Sequence, residues 1–131
     1  MSGMNMMRVI VIAVGALLPV VFWWPSLPPA DLIFQAILFM EVVHVIPIAA
    51  IWLVSYLYDR PVSILFPAIA GYGFLAFTYW DTLHPPSGQR ISSTASLILL
   101  FAPLYALLPI LIGAVIGYAV DKYLIRRGVT Q

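Results

Sequence analysis

The sequence predicts an all-α integral membrane protein of four transmembrane helices, forming one domain over residues 1–131. Three observations lead there: 63% of residues are hydrophobic against 8% charged, the apolar runs are long enough to cross a bilayer, and aromatic and proline residues cluster where they stop. A soluble domain carries about 25% charged residues. A chain this small and this apolar would present aggregating patches to water unless lipid covered them.

The first span is expected over about residues 9–24, roughly 24 Å at the helical rise and short for a hydrocarbon core of about 30 Å. Met4 to Met7 are available to lengthen it. Trp23 and Trp24 sit where an aromatic belt belongs, and Pro25, Pro28 and Pro29 keep the helix from continuing. The opening MSGMNMMR places one arginine before an apolar run, as a signal peptide does. That run ends in Phe22-Trp23-Trp24-Pro25 without a small-residue cleavage site, so it reads as a retained helix.

The second span is expected over 31–58, with Asp31 placed as its cap. At roughly 42 Å it is long enough to cross with tilt or to project from the membrane. Asp59-Arg60-Pro61 makes a short connection to a third span over 62–80, closing on Tyr79 and Trp80, so these two helices are expected to form a tight antiparallel pair. The longest loop, from Asp81 to about Ser92, holds His84, Pro85, Pro86, Gly88 and Arg90. Ser92 or Ser93 then caps a fourth span over 93–122. Arg8, Arg60, Lys122, Arg126 and Arg127 fall on one side of this layout and Arg90 on the other. By the positive-inside rule both termini are cytoplasmic, and the cytoplasmic (inner) membrane is the expected location.

Trp24-Pro25-Ser26-Leu27-Pro28-Pro29 resembles Trp80-Asp81-Thr82-Leu83-His84-Pro85-Pro86, and at the same offset Gly15 meets Gly71 and Pro47 meets Pro103. Two copies of one helical hairpin, related by a pseudo-twofold axis along the membrane normal, would explain these matches. The competing explanation is that interface physics puts aromatic and proline residues at every membrane exit.

The residues that carry chemistry are few. Glu41 and His44 are the ionisable side chains expected near the bilayer midplane, three residues apart and so on one helix face. Pro47 leaves the Val43 carbonyl without its helical donor and marks a probable kink beside them. The pair reads either as a proton or cation site in a translocation path or as an internally satisfied polar-packing pair. Asp121 and Lys122 are expected to snorkel or pair locally, serving as an anchor. Gly113 and Gly117 form a G-x-x-x-G face that lets helix backbones approach, within this chain, between copies or against another subunit.

Several classes are excluded or disfavoured. There is no cysteine, which removes disulfides, zinc-thiolate sites, iron-sulfur clusters and thiol nucleophiles. Net charge is +1 with no basic stripe, which disfavours nucleic acid. The Glu-x-x-His spacing lacks the second motif a di-iron bundle needs, and haem ligation by His44 alone is weakly supported, so no metal or cofactor is predicted. No nucleophile elbow or phosphate-binding glycine loop is present, and the balance leans away from an enzyme. Two roles remain as expectations: an accessory or structural subunit packing in a larger membrane complex, or an oligomeric small transporter or channel using Glu41 with His44. Lipid and other membrane subunits, or further copies of this chain, are the expected partners.

Overall fold

A computed structural model describes residues 2–24, 30–84 and 95–128. Among these residues the chain is all-helical: α1 (Gly3–Trp23), α2 (Ala30–Leu57), α3 (Pro61–Leu83), α4 (Ala95–Tyr105) and α5 (Leu107–Arg126). Four stretches are long and apolar enough to cross a membrane: Gly3–Trp23, Phe34–Leu57, Pro61–Leu83 and Leu100–Arg126, the last running through both α4 and α5.

The helix ends differ from the expected ones for identifiable reasons. Ser2 caps α1 by accepting the Asn5 N–H at 3.2 Å, so Met4 to Met7 do lengthen the span and Arg8 falls inside the helix rather than ahead of it. α2 begins at Ala30, so Asp31 falls inside its first turn rather than ahead of it as a cap, and Ser92 and Ser93 lie outside the described residues. α3 starts with Pro61, whose fixed φ and missing N–H suit a first helical position. It continues past Trp80 to Leu83.

The fourth span is not one uninterrupted helix. α4 and α5 meet at Ala106 because Pro109 offers no N–H to the Tyr105 carbonyl and Pro103 none to that of Leu99. Backbone bonds from Ala106 to Ala102 (2.9 Å) and from Ile110 to Ala106 (3.0 Å) still carry the chain through the joint. Beyond the expected limit of 122, α5 runs on to Arg126.

α3 is the central helix and touches each of the other four. Its buried stripe, Ile64, Ala68, Tyr72, Leu75 and Tyr79, has the three- and four-residue spacing of one helix face. The most extensive seam is with α5. A β-carbon on Gly113 would stand 2.6 Å from the Phe66 carbonyl oxygen, and one on Gly117 would stand 2.7 Å from that of Val62. The short α2–α3 connection holds those helices near each other, but it is the glycines of α5 that set the closest approach, and they set it against α3.

One end of the bundle is ionic. Arg8 Nη2 meets Asp59 Oδ1 at 2.8 Å. Its Nε donates to Ser55 Oγ at 3.0 Å, and its Nη1 donates to Asn5 Oδ1 at 3.0 Å. The guanidinium also lies 4.1 Å from the centre of the Tyr56 ring. Arg60 pairs with Asp121 at 3.3 Å, and Tyr58 donates to the same carboxylate. That hydrogen bond raises the Tyr58 phenol above its ordinary range. Of the two expectations for Asp121, snorkelling is corrected, because the side chain is buried; it is paired, but across the bundle, tying α5 to the α2–α3 turn.

Two contacts fix the register of α1 and α2. A β-carbon on Gly15 would stand 2.6 Å from Ile48 Cγ1, and Arg8 Nη2 donates to the Ser55 carbonyl at 3.0 Å. Gly15 and Arg8 are as far apart in sequence as Ile48 and Ser55, so the helices run antiparallel in step. Trp23, where α1 ends, therefore falls beside Met40, and both are buried. α2 continues to Ala30, about 15 Å past the end of α1. In this overhang Leu32, Leu38 and Phe39 are exposed, and Phe34 is 74% exposed.

Candidate functional site

The polar cluster nearest the non-ionic end is built on α2 and α3. His44, 1% exposed, points into the bundle from the middle of α2. Its Nδ1 lies 2.7 Å from the Met40 carbonyl and its Nε2 lies 2.5 Å from Tyr79 Oη. A carbonyl only accepts, so Nδ1 carries the proton, Nε2 accepts, and Tyr79 donates. Both ring nitrogens are thereby satisfied inside one chain. Trp23 packs edge-on to the Tyr79 ring, with centroids 5.5 Å apart at 73°, and Phe22 lies 6.4 Å from it.

The indole N–H of Trp23 is buried with no hydrogen-bond acceptor. The cluster therefore joins α1, α2 and α3 through one histidine, one tyrosine and one tryptophan.

Glu41 leaves this cluster although it stands only three residues from His44. Its side chain lines a groove of ≈ 410 Å³ between α1 and α2, with Ile12, Ala16, Val45, Ile48 and Trp52 among the walls. Val42, Val45 and Trp52 around it are exposed, so the groove opens to the outside of the bundle. Among the described residues Glu41 has no hydrogen bond or ion pair. A shared helix face thus separates into an inward histidine and an outward carboxylate.

The depth inferred by counting along α2 alone also changes. His44 contacts Tyr79, and α3 extends only four residues beyond Tyr79 to Leu83, about 6 Å. Because α2 overhangs α1, the level of Glu41 and His44 is near the ends of α1 and α3, where Trp23, Trp24 and Trp80 cluster, rather than halfway along those two helices.

Pro47 is buried within α2, one turn from His44. The carbonyl that His44 bonds is that of Met40, not the Val43 carbonyl Pro47 leaves without a donor. Gly113 and Gly117 are outside the groove, closed against α3. His84 is exposed and stacks on Trp80 with ring centroids 3.8 Å apart. Among the described residues no three His, Asp or Glu side chains converge as a metal site would require.

The sequence reading missed Tyr79, taken as an aromatic-belt residue, and Tyr72, which donates to the Val11 carbonyl at 2.7 Å. The spacing of Tyr72, Leu75 and Tyr79 along α3 was the available sign, since it repeats the period of a buried stripe. Comparison with known protein families, curated proteins and solved structures finds no match for this chain.

Proposed function

We propose that this chain is an accessory or structural subunit packed within a larger membrane protein complex. The observation that carries this reading is the outward placement of Glu41 in an apolar groove, while His44 is satisfied inside. A carboxyl group facing lipid is expensive, and polar side chains in membrane helices are ordinarily met by another helix. α1 and α2 supply Glu41 with no partner, so a neighbouring polypeptide is the natural source of one.

The alternative is an oligomeric transporter or channel using Glu41 as a proton or cation site. It retains the carboxylate but loses the expected relay, because the Met40 carbonyl and Tyr79 already engage both nitrogens of His44. The N-in/C-in orientation in a cytoplasmic membrane is supported by the basic residues of the ionic end. The duplicated hairpin draws support from a repeated contact: Gly15 of α1 receives Ile48 of α2, and Gly71 of α3 receives Ile110 of α5. The two isoleucines do not share the offset of the glycines.

Gentle extraction from native membranes, followed by mass spectrometry, tests the subunit role. Stoichiometric membrane partners are expected, and recovery of the chain alone in stable form overturns it. Flux into liposomes containing only this chain, abolished by Glu41→Gln, would establish the alternative instead.

A further inference from the structure

We infer that the α1/α2 groove is the seat of one transmembrane helix from a different polypeptide, carrying a lysine or arginine at the level of Glu41. The inference rests on the subunit reading and specifies the contact through which the subunit is held.

Glu41, Val45, Ile48 and Trp52 are spaced by four, three and four residues, and all line the groove. That is the spacing with which one helix presents a seam to another. On the facing wall, Ile12 and Ala16 of α1 are one turn apart and complete a channel with helical ridges on both sides. Ala16 and Ala49, with their small side chains, are also among the lining residues, and small residues are what let membrane helices approach closely. The shape therefore suits a rod about 10 Å wide rather than a compact ligand.

The chemistry of the occupant follows from Glu41. The walls of the groove are apolar, and the nearest donor among them, the Trp52 indole, stands eleven residues along α2, about 16 Å away. A cationic side chain opposite Glu41 would neutralise the carboxylate among these apolar walls, and a basic residue in a membrane helix needs the same match. A second copy of this chain is poorly suited to supply it. Arg8 and Arg60 are engaged at the ionic end, and Lys122, Arg126 and Arg127 lie at the C-terminal end of α5, whose Asp121 packs at that same end. The groove's carboxylate is at the other end. Arg90, the basic residue expected on the groove's side, lies outside the described residues and between the spans Pro61–Leu83 and Leu100–Arg126, so neither of those helices carries it.

The test places a genetically encoded benzophenone at Val45 in the full chain, expressed in its native membranes, with Val115, exposed on α5 and outside the groove, as the control position. The expected adduct at Val45 is a transmembrane segment of another protein with a lysine or arginine within one helical turn of the linked residue. Glu41→Lys should lower that adduct at least tenfold, and exchanging the partner's basic residue for glutamate should restore it, which separates lost pairing from lost folding. An adduct to lipid only, to a second copy, or to a segment without a basic residue overturns the inference, as does an unchanged yield in Glu41→Lys. Stoichiometric partners on gentle extraction together with any of those outcomes would leave the subunit role standing and remove this groove as its contact.

Discussion

The α3/α5 seam and the α1/α2 groove are both antiparallel helix contacts, yet one is closed and the other open. In the seam, Gly113 and Gly117 stand against the backbone oxygens of α3, leaving no space for a side chain. In the groove, α1 and α2 touch tightly at Gly15 and through Arg8, while Glu41, Val45 and Ala16 stay apart enough to leave ≈ 410 Å³. Two glycines one turn apart on one helix close a contact along its length, whereas a single glycine closes it at a point. The unfilled remainder is where the Glu41 carboxylate sits without a partner among the described residues.

Substitutions should separate the two regions, with the largest effect in the seam. Gly113→Leu forces a side chain against the Phe66 carbonyl and is expected to cost about 3 kcal/mol or more, read as loss of cooperative thermal unfolding in detergent. A stability within about 1 kcal/mol of wild type would show that α5 does not lean on α3 as described.

Next is His44→Ala. It leaves Tyr79 Oη without its acceptor and opens a void at the junction of α1, α2 and α3, at about 2–3 kcal/mol. The measurement is equilibrium unfolding in mixed micelles, and an unperturbed midpoint would remove His44 as the tie between α2 and α3. Tyr79→Phe keeps the ring and its packing against Trp23 but deletes the hydroxyl. It should cost about 1 kcal/mol, and the His44 imidazole NMR signals should move with it.

The smallest effect on the isolated chain belongs to Glu41→Gln, within about 0.5 kcal/mol, because nothing among the described residues holds the carboxylate. Its consequence should appear only in native membranes, as fewer co-purified partners. A large loss of stability in the purified mutant would mean that Glu41 is bound internally, and the contrast between seam and groove would fail.

Much of this architecture is legible in the sequence, and the illegible parts have physical reasons. Apolar run length and interface aromatics locate four spans because lipid imposes the same demand on each of them. The joint at Ala106 is harder to read: proline is common in membrane helices, and whether Pro103 and Pro109 bend a helix or divide it depends on neighbouring packing. Glu41 and His44 are evident as the unusual residues of α2, but a spacing of three residues leaves them about 60° apart around the helix axis. That is enough for one to point inward and the other outward, and the choice is made by where α1 and α3 pack. Asp121 resembles any acid at a helix end until the α2–α3 turn is brought beside it by the α5 glycines.

The overhang of α2 has a consequence for the surrounding bilayer. A sheet of lipid cannot match in thickness both the full length of α2 and the shorter α1 beside it, so where α2 neither tilts nor projects, the lipids on the α1 flank compress or those around Phe34 stretch. Such a step is relieved where the protein stands at the edge of a thicker assembly, with its taller side turned inward and its shorter side toward free lipid. Unequal helix lengths would then orient the molecule within an array even before any side chain makes a specific contact.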